Sequence, residues 1–246
     1  MVPKAILFDL HGTVAFVGSR PEDEEISALL LDRGYEVSPQ QLKAAWSYVS
    51  FIDYPKHGYG NWHSWVSQVL RRIGPKVDRE TLEATVELLE SQPYRLYPET
   101  AKAIQKAKER GFKTAIVTTI ARFKFENAID PIARHLDLVM TGYEAGCDKS
   151  NPRMYRKVLE VLGVRGEDAV MIGDDLKIDV LLPKRLGMRA VLLDREGKMR
   201  SESRHADALA HTLDEAVDIA VRLHGGRRRT SPIASVRDLS PSETGK

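Results

Sequence analysis

Apolar positions recur along this chain in two distinct periods. Short continuous runs at Ala5–Phe8, Thr114–Val117, Leu136–Met140, Ala169–Ile172 and Ala190–Leu193 have the length of buried strands. Amphipathic stretches at Glu99–Arg110, Pro152–Leu162, Leu176–Leu186 and Leu213–Leu223 alternate with them and predict helices. In Pro152–Leu162, for example, Met154, Val158, Leu159 and Leu162 follow helical spacing. Gly111, Gly163 and Gly187 stand just past helix ends, where a left-handed cap is wanted. Continuous apolar strands alternating with such helices predict an α/β protein, a doubly wound, Rossmann-like parallel sheet covered on both faces.

One segment interrupts the alternation. Between about Arg20 and Tyr97 no convincing strand is legible, only helical stretches near Pro21–Asp32, Pro39–Phe51, Trp62–Ile73 and Asp78–Leu89. The expected organisation is a core of residues 1–18 and 98–224, an inserted all-helical cap of residues 19–97, and a flexible tail over 225–246. The insertion leaves the first strand at its carboxyl end, the edge where open α/β sheets bind ligands, so it reads as a lid. It is rich in rings: Trp46, Tyr48, Phe51, Tyr54, His57, Tyr59, Trp62, His63 and Trp65. Trp46 and Trp65 are expected in the cap's own core. Pro55, Gly58 and Gly60 predict an irregular loop over Asp53–Asn61, which would offer Tyr54 and His57 to a ligand.

Composition narrows the setting. No apolar run approaches the roughly 18–20 residues needed to cross a bilayer, so no membrane partner is expected. One cysteine, Cys147, cannot form an internal disulfide, which suits a reducing compartment. The chain enters a strand-like run at Ala5 without a signal-peptide layout, and a cytoplasmic location is expected. Net charge is +2, with a basic excess concentrated in the tail around Arg227-Arg228-Arg229. The rest of the chain is close to neutral, which argues against a nucleic-acid surface; the tail reads as a solvated segment.

Candidate chemistry lies just beyond the strands. Asp9 ends the first, Thr118 and Thr119 the second, and Asp174 and Asp175 the fourth, while Lys149 follows the third. A parallel sheet gathers these along one edge. Carboxylates there are hard oxygen ligands suited to Mg²⁺; a lysine and a hydroxyl can hold phosphoryl oxygens.

In that order, four segments resemble the motifs of the haloacid dehalogenase superfamily. Phe8-Asp9-Leu10-His11-Gly12-Thr13-Val14 is similar to its first motif, Ile116-Val117-Thr118-Thr119 to its second, and Lys149-Ser150-Asn151-Pro152 to its third. Val170-Met171-Ile172-Gly173-Asp174-Asp175, with Asp179 after it, resembles the acidic fourth. The resemblance implies a hydrolase of phosphate esters, with Asp9 as nucleophile and a small phosphorylated substrate. It further implies Mg²⁺ held by Asp9, the His11 carbonyl and Asp174, with Asp175 and Asp179 assisting. Thr118 and Lys149 would hold the phosphoryl group, and Gly12 would permit the turn after the nucleophile. Candidate substrate contacts are Gly12, Thr13 and Thr119 within the motifs and, from position rather than from the resemblance, Arg20 just after the first motif and Tyr54 and His57 on the predicted loop.

The first motif departs from the family pattern, because His11 replaces a second aspartate that serves as general acid and base. Imidazole can do both tasks in principle. The substitution leaves two alternatives open: a metal-independent dehalogenase, or a weakened metal- and phosphate-binding regulatory protein. The retained Asp174-Asp175 pair favours metal, since carboxylates facing Asp9 would repel one another without a cation.

Overall fold

A computed structural model of the chain describes residues 4–74, 76–199 and 203–225. The strands are β1 (Ala5–Phe8), β2 (Ala15–Val17), β3 (Tyr94–Leu96), β4 (Lys113–Val117), β5 (Leu138–Met140), β6 (Ala169–Gly173), β7 (Arg189–Leu193) and β8 (Ala208–Ala210). Six of them form one parallel sheet in the order β5-β4-β1-β6-β7-β8. The predicted α/β class and doubly wound sheet are therefore present.

Side-chain alternation distributes the strands between two cores. On one face Ile6, Phe8, Ile116, Val170, Ile172, Val191 and Leu193 pack on helices α6 (Thr100–Glu109) and α11 (Leu213–Gly225). On the other, Ala5, Leu7, Ala115, Val117, Ala169 and Met171 meet α9 (Pro152–Leu162). β1 lies in the middle, with β4 on one side and β6 on the other, and is wholly buried. Its carboxyl end therefore opens where the strand order reverses, the usual ligand position in such sheets.

The helical insertion comprises α1 (Asp23–Asp32), α2 (Pro39–Tyr48), α3 (Tyr54–His57), α4 (Trp62–Ile73) and α5 (Arg79–Glu90). Its starts are chemically marked. Ser38 and Gln41 form a reciprocal capping box before α2, Asn61 Oδ1 accepts from Ser64 N at 2.8 Å before α4, and Asp78 Oδ1 accepts from Thr81 N at 2.8 Å before α5. Each satisfies a donor that the first turn leaves unpaired. Ile26, Leu30, Leu42, Trp65, Val66, Val69 and Val86 form its core, with Trp46 packed against them. Two further short helices, α7 (Glu126–Ile129) and α8 (Gly142–Ala145), follow β4 and β5. The insertion meets the latter: the Tyr54 hydroxyl pairs with Thr141 Oγ1 at 3.0 Å, immediately before α8.

Several sequence expectations need correction. Residues 20–97 are not strandless, because β3 pairs antiparallel with β2 through Ala15↔Leu96 and Val17↔Tyr94. Tyr94 packs in the sheet's core, not the insertion's. The expected loop at Asp53–Asn61 begins as helix: a π-helical stretch, Val49–Asp53, runs into α3. The expected helix Leu176–Leu186 is likewise a π-helical stretch, Leu176–Leu181, continued by α10 (Leu182–Arg185). Both wide turns precede a proline, Pro55 or Pro183, which cannot donate the i→i−4 bond of a regular α-turn. Gly225 ends α11 rather than opening a tail; residues 226–246 lie outside the described residues. Among the described residues, no helix is long and apolar enough to cross a membrane.

Candidate active site

Asp9 is the first residue beyond β1. Its N–H donates to Ile172 O at 2.9 Å, which carries the β1–β6 ladder one step further and fixes the backbone there. Its carboxylate meets the ammonium of Lys149. That ammonium also lies 2.7 Å from Asp179 Oδ1, so one lysine joins two carboxylates out of water, with Lys149 2% and Asp179 1% exposed. Lys149 N donates to Thr119 Oγ1 at 3.1 Å, tying the loop after β5 to the end of β4. The Tyr155 hydroxyl donates to Ile178 O at 2.5 Å and stands 3.4 Å from Asp179 Oδ1, backing the cluster from α9.

Asp174, the first residue beyond β6, completes a trio. Asp9, Asp174 and Asp179 each offer an oxygen within 4.8 Å of the others. Two glycines make this possible. Gly12 has φ +80°, and a Cβ there would stand 2.1 Å from Asp174 Oδ2. A Cβ on Gly173 would stand 2.3 Å from Asp179 Cγ. At both positions a side chain would displace a carboxylate.

The electrostatics follow from burial and crowding. Burial pushes the Asp9 carboxyl up, against Lys149 and with Asp174 adding to the rise. Burial and Asp179 raise Asp174 to about 6. Burial, with Asp9 adding and Lys149 opposing, raises Asp179 to about 7. Burial alone would lower Lys149, but Asp179 and Asp9 outweigh it and hold the ammonium well above its ordinary value. Three carboxylates thus share one lysine, and Asp174 forms no ion pair among the described residues. That donor set fits a divalent cation.

The remaining predicted residues divide into two groups. Thr118 is buried at the end of β4, where its hydroxyl accepts from Ile120 N at 3.2 Å. Thr13 is buried and its hydroxyl has no hydrogen-bond partner among the described residues. The His11 ring stands edge-on to Tyr94 at 5.8 Å. Burial, then Arg20, hold its pKa below the ordinary imidazole value. Arg20 donates to the Tyr94 hydroxyl at 2.5 Å.

Three residues stand elsewhere. Asp175 Oδ1 accepts from Lys177 N and Ile178 N at 2.7 and 2.9 Å, so its carboxylate caps the next turn and is outside the trio. Tyr54 is 2% exposed with its hydroxyl spent on Thr141. His57 pairs with Asp53 at 3.6 Å on an exposed side of the insertion. α3 turns both residues onto partners of their own.

Sequence reasoning missed Arg195. Its Nε donates to Gly12 O at 3.0 Å, one terminal nitrogen to Thr13 O at 2.8 Å, and the other to Glu99 Oε1 at 2.7 Å. Its guanidinium also lies 3.6 Å from the centroid of the Tyr97 ring. One side chain thereby clamps the loop that follows Asp9. The signal was available, since Arg195 follows the fifth apolar strand just as the other site residues follow theirs. Arg195→Met is expected to lower kcat/KM about 10- to 100-fold through misplacement of that loop. A variant with unchanged kinetics would show that the clamp is dispensable.

A doubly wound sheet that presents a buried aspartate at its switch point, braced by a lysine, places a carboxylate where open α/β sheets bind their ligands. Residues 3–187 match the haloacid dehalogenase-like hydrolases, and the chain belongs to that family. Among its relatives is the glyceraldehyde 3-phosphate phosphatase of Methanopyrus kandleri, 27% identical over 83% of this chain and 89% of that one. The phosphoserine phosphatase of Thermus thermophilus is 36% identical, but the match covers only 49% of each chain. Two solved structures share the fold. The HAD phosphatase from Thermococcus onnurineus has a TM-score of 0.57 at 24% identity, over 88% of this chain and 97% of that one. The 2-haloacid dehalogenase from Pseudomonas syringae has a TM-score of 0.63 at 19% identity, over 90% and 99%.

Proposed function

We propose that this chain is a Mg²⁺-dependent phosphatase that hydrolyses a small phosphorylated metabolite through an aspartyl-phosphate at Asp9. The observation that carries the reading is the carboxylate trio with its single buried lysine. Relatives named as phosphatases support it. Asp9, Asp174 and the His11 carbonyl would hold the cation, which supplies charge neutralisation for the phosphoryl group.

The residues then divide the work. One Asp9 oxygen attacks phosphorus, the ester P–O bond breaks, and the leaving oxygen takes a proton from solvent. Water, giving a proton to neutral His11, next displaces the phosphoryl group from Asp9, forming inorganic phosphate and restoring the carboxylate; His11 then returns the proton to solvent. Lys149 keeps Asp9 ionised and oriented, while Thr118, Thr119 and Thr13 hold phosphoryl oxygens. Residues 19–97 act as the lid, meeting the sheet's loops through their contact before α8.

The test is turnover of an aryl phosphate with and without Mg²⁺. Chelation is expected to abolish it, and Mg²⁺ should raise the melting temperature more at pH 8 than at pH 5. The sign follows from the raised carboxyls. Without a cation, their stabilising contribution is full below the ordinary carboxylate range and is lost as pH rises through about 6 for Asp174 and about 7 for Asp179. Mg²⁺ restores what that ionisation removes. Metal-independent halide release from a 2-haloacid, with no phosphatase activity, would overturn the reading in favour of dehalogenation.

His11 has a narrower role than the aspartate it replaces. Its lowered pKa keeps the ring neutral at neutral pH, a state suited to taking a proton from water. His11→Ala is expected to reduce turnover by about 10²-fold. The wild-type rate should fall as pH drops through the lowered imidazole value, and the variant should lose that limb of the profile. An unaltered profile would make His11 a spacer.

A further inference from the structure

Lys124 occupies the seam between the insertion and the sheet. It ends a short turn, Arg122–Lys124, beyond β4. The preceding residues Ala121 and Phe123 pack into the insertion's core, so this stretch joins the two parts. The Lys124 ammonium lies 3.6 Å from the centroid of the Trp65 ring, 4.7 Å from that of Trp62 and 5.8 Å from that of Phe123. Among the described residues it forms no ion pair and no hydrogen bond that would offset its desolvation. Burial, then the charge of Arg20, lower its pKa to about 7. The buried Lys149 is balanced by two carboxylates; the half-buried Lys124 has ring faces and a second cation. Ring faces recover part of the cost of burying an ammonium, but a neighbouring guanidinium adds to it.

Arg20 connects this seam to the nucleophile loop. It donates to the Tyr94 hydroxyl, and the ring of Tyr94 stands against His11. Arg20 has no carboxylate partner among the described residues either. From the nucleophile loop the contacts therefore pass through Tyr94 to Arg20, whose charge is felt at Lys124; neither cation has an anion among the described residues.

We propose that Lys124 and Arg20 receive a second anionic group, a carboxylate or a phosphate, on the far end of a substrate whose reacting phosphoryl group lies at Asp9. This rests on the phosphatase reading and narrows it to small phosphomonoesters with an anion at both ends. Arg20 presents a planar fork to paired oxygens, and half-buried Lys124 adds a point charge beside the Trp62, Trp65 and Phe123 rings. The substrate supplies the charge that the protein omits. Because one cation comes from the insertion and one from the sheet, binding also draws the lid onto the core.

The experiment compares three probes that differ at the far end: glycerol 3-phosphate, 3-phosphoglycerate and glycerol 1,3-bisphosphate. For the wild type, kcat/KM is expected to favour at least one of the two anion-bearing probes by about tenfold or more, and the preferred one identifies the group. Lys124→Met keeps the stem against the rings and removes the charge. It should raise KM for the preferred probe about tenfold more than for glycerol 3-phosphate, and Lys124→Arg should recover most of the preference. Equal kcat/KM for all three probes in wild type overturns the site. An equal loss on all three in Lys124→Met also overturns it and makes Lys124 a structural clamp. If none of the three is hydrolysed, the aryl phosphate assay decides the phosphatase reading separately. The same three probes are then titrated into Asp9→Asn protein with Mg²⁺, where equal affinities overturn the anion site and an affinity preference lost in Asp9→Asn/Lys124→Met supports it.

Discussion

Replacing Asp9 with asparagine is expected to reduce phosphatase turnover by about 10³-fold or more, the scale of removing a covalent nucleophile. The amide lacks the anionic oxygen proposed to attack phosphorus, while its carbonyl oxygen can still accept from the Lys149 ammonium. The fold should survive. Lys149 keeps Asp179 at 2.7 Å, and the bond from Asp9 N to Ile172 O is a main-chain contact. Steady-state kinetics beside a melting curve tests both halves. Turnover within tenfold of wild type would remove Asp9 from the chemistry altogether.

The second large effect is on stability. Lys149→Met keeps the length of the side chain but leaves Asp9 and Asp179 facing one another without a cation. Breaking a buried pair in this way typically costs about 3–5 kcal/mol. At roughly 2–4 °C per kcal/mol for a chain of this size, the melting temperature should fall by about 10 °C. The loss should depend on pH. The Lys149 pKa is raised, so its contribution is present throughout the neutral range and is lost only as pH rises through that elevated value. The two carboxyls, pushed up further without their partner, take protons as pH falls. The gap between variant and wild type should therefore be widest near pH 8 and shrink toward pH 5. A gap that does not vary with pH would mean that the deficit comes from packing rather than charge.

How much of this could be read from the sequence depended on the kind of residue. β1 and β6 were legible because Ala5–Phe8 and Ala169–Gly173 are buried on both faces and so apolar throughout. β2, β3 and β8 are three residues each, too short for alternation to stand out. The trio was mostly legible, since a polar residue directly after an apolar strand has one edge to occupy. Asp174 and Asp175 are adjacent and chemically identical, and only the backbone decides which faces Asp9 and which caps the next turn. Lys124 was illegible for another reason. Its surroundings come from Trp62 and Trp65, far away in the chain, and no local pattern encodes a contact between an insertion and its host.

The β2–β3 pair has a consequence for how such a chain can diverge. The insertion leaves through Val17 and returns through Tyr94, which are register partners, so its two ends are neighbours roughly 5 Å apart. Whatever lies between them closes on the same short ladder. Lengthening, trimming or exchanging that cassette changes the loop-closure entropy only logarithmically and places no strain on the six-stranded sheet. Recognition can thus be rewritten in one continuous stretch of the gene, while the strands that align Asp9, Lys149 and Asp174 are inherited intact.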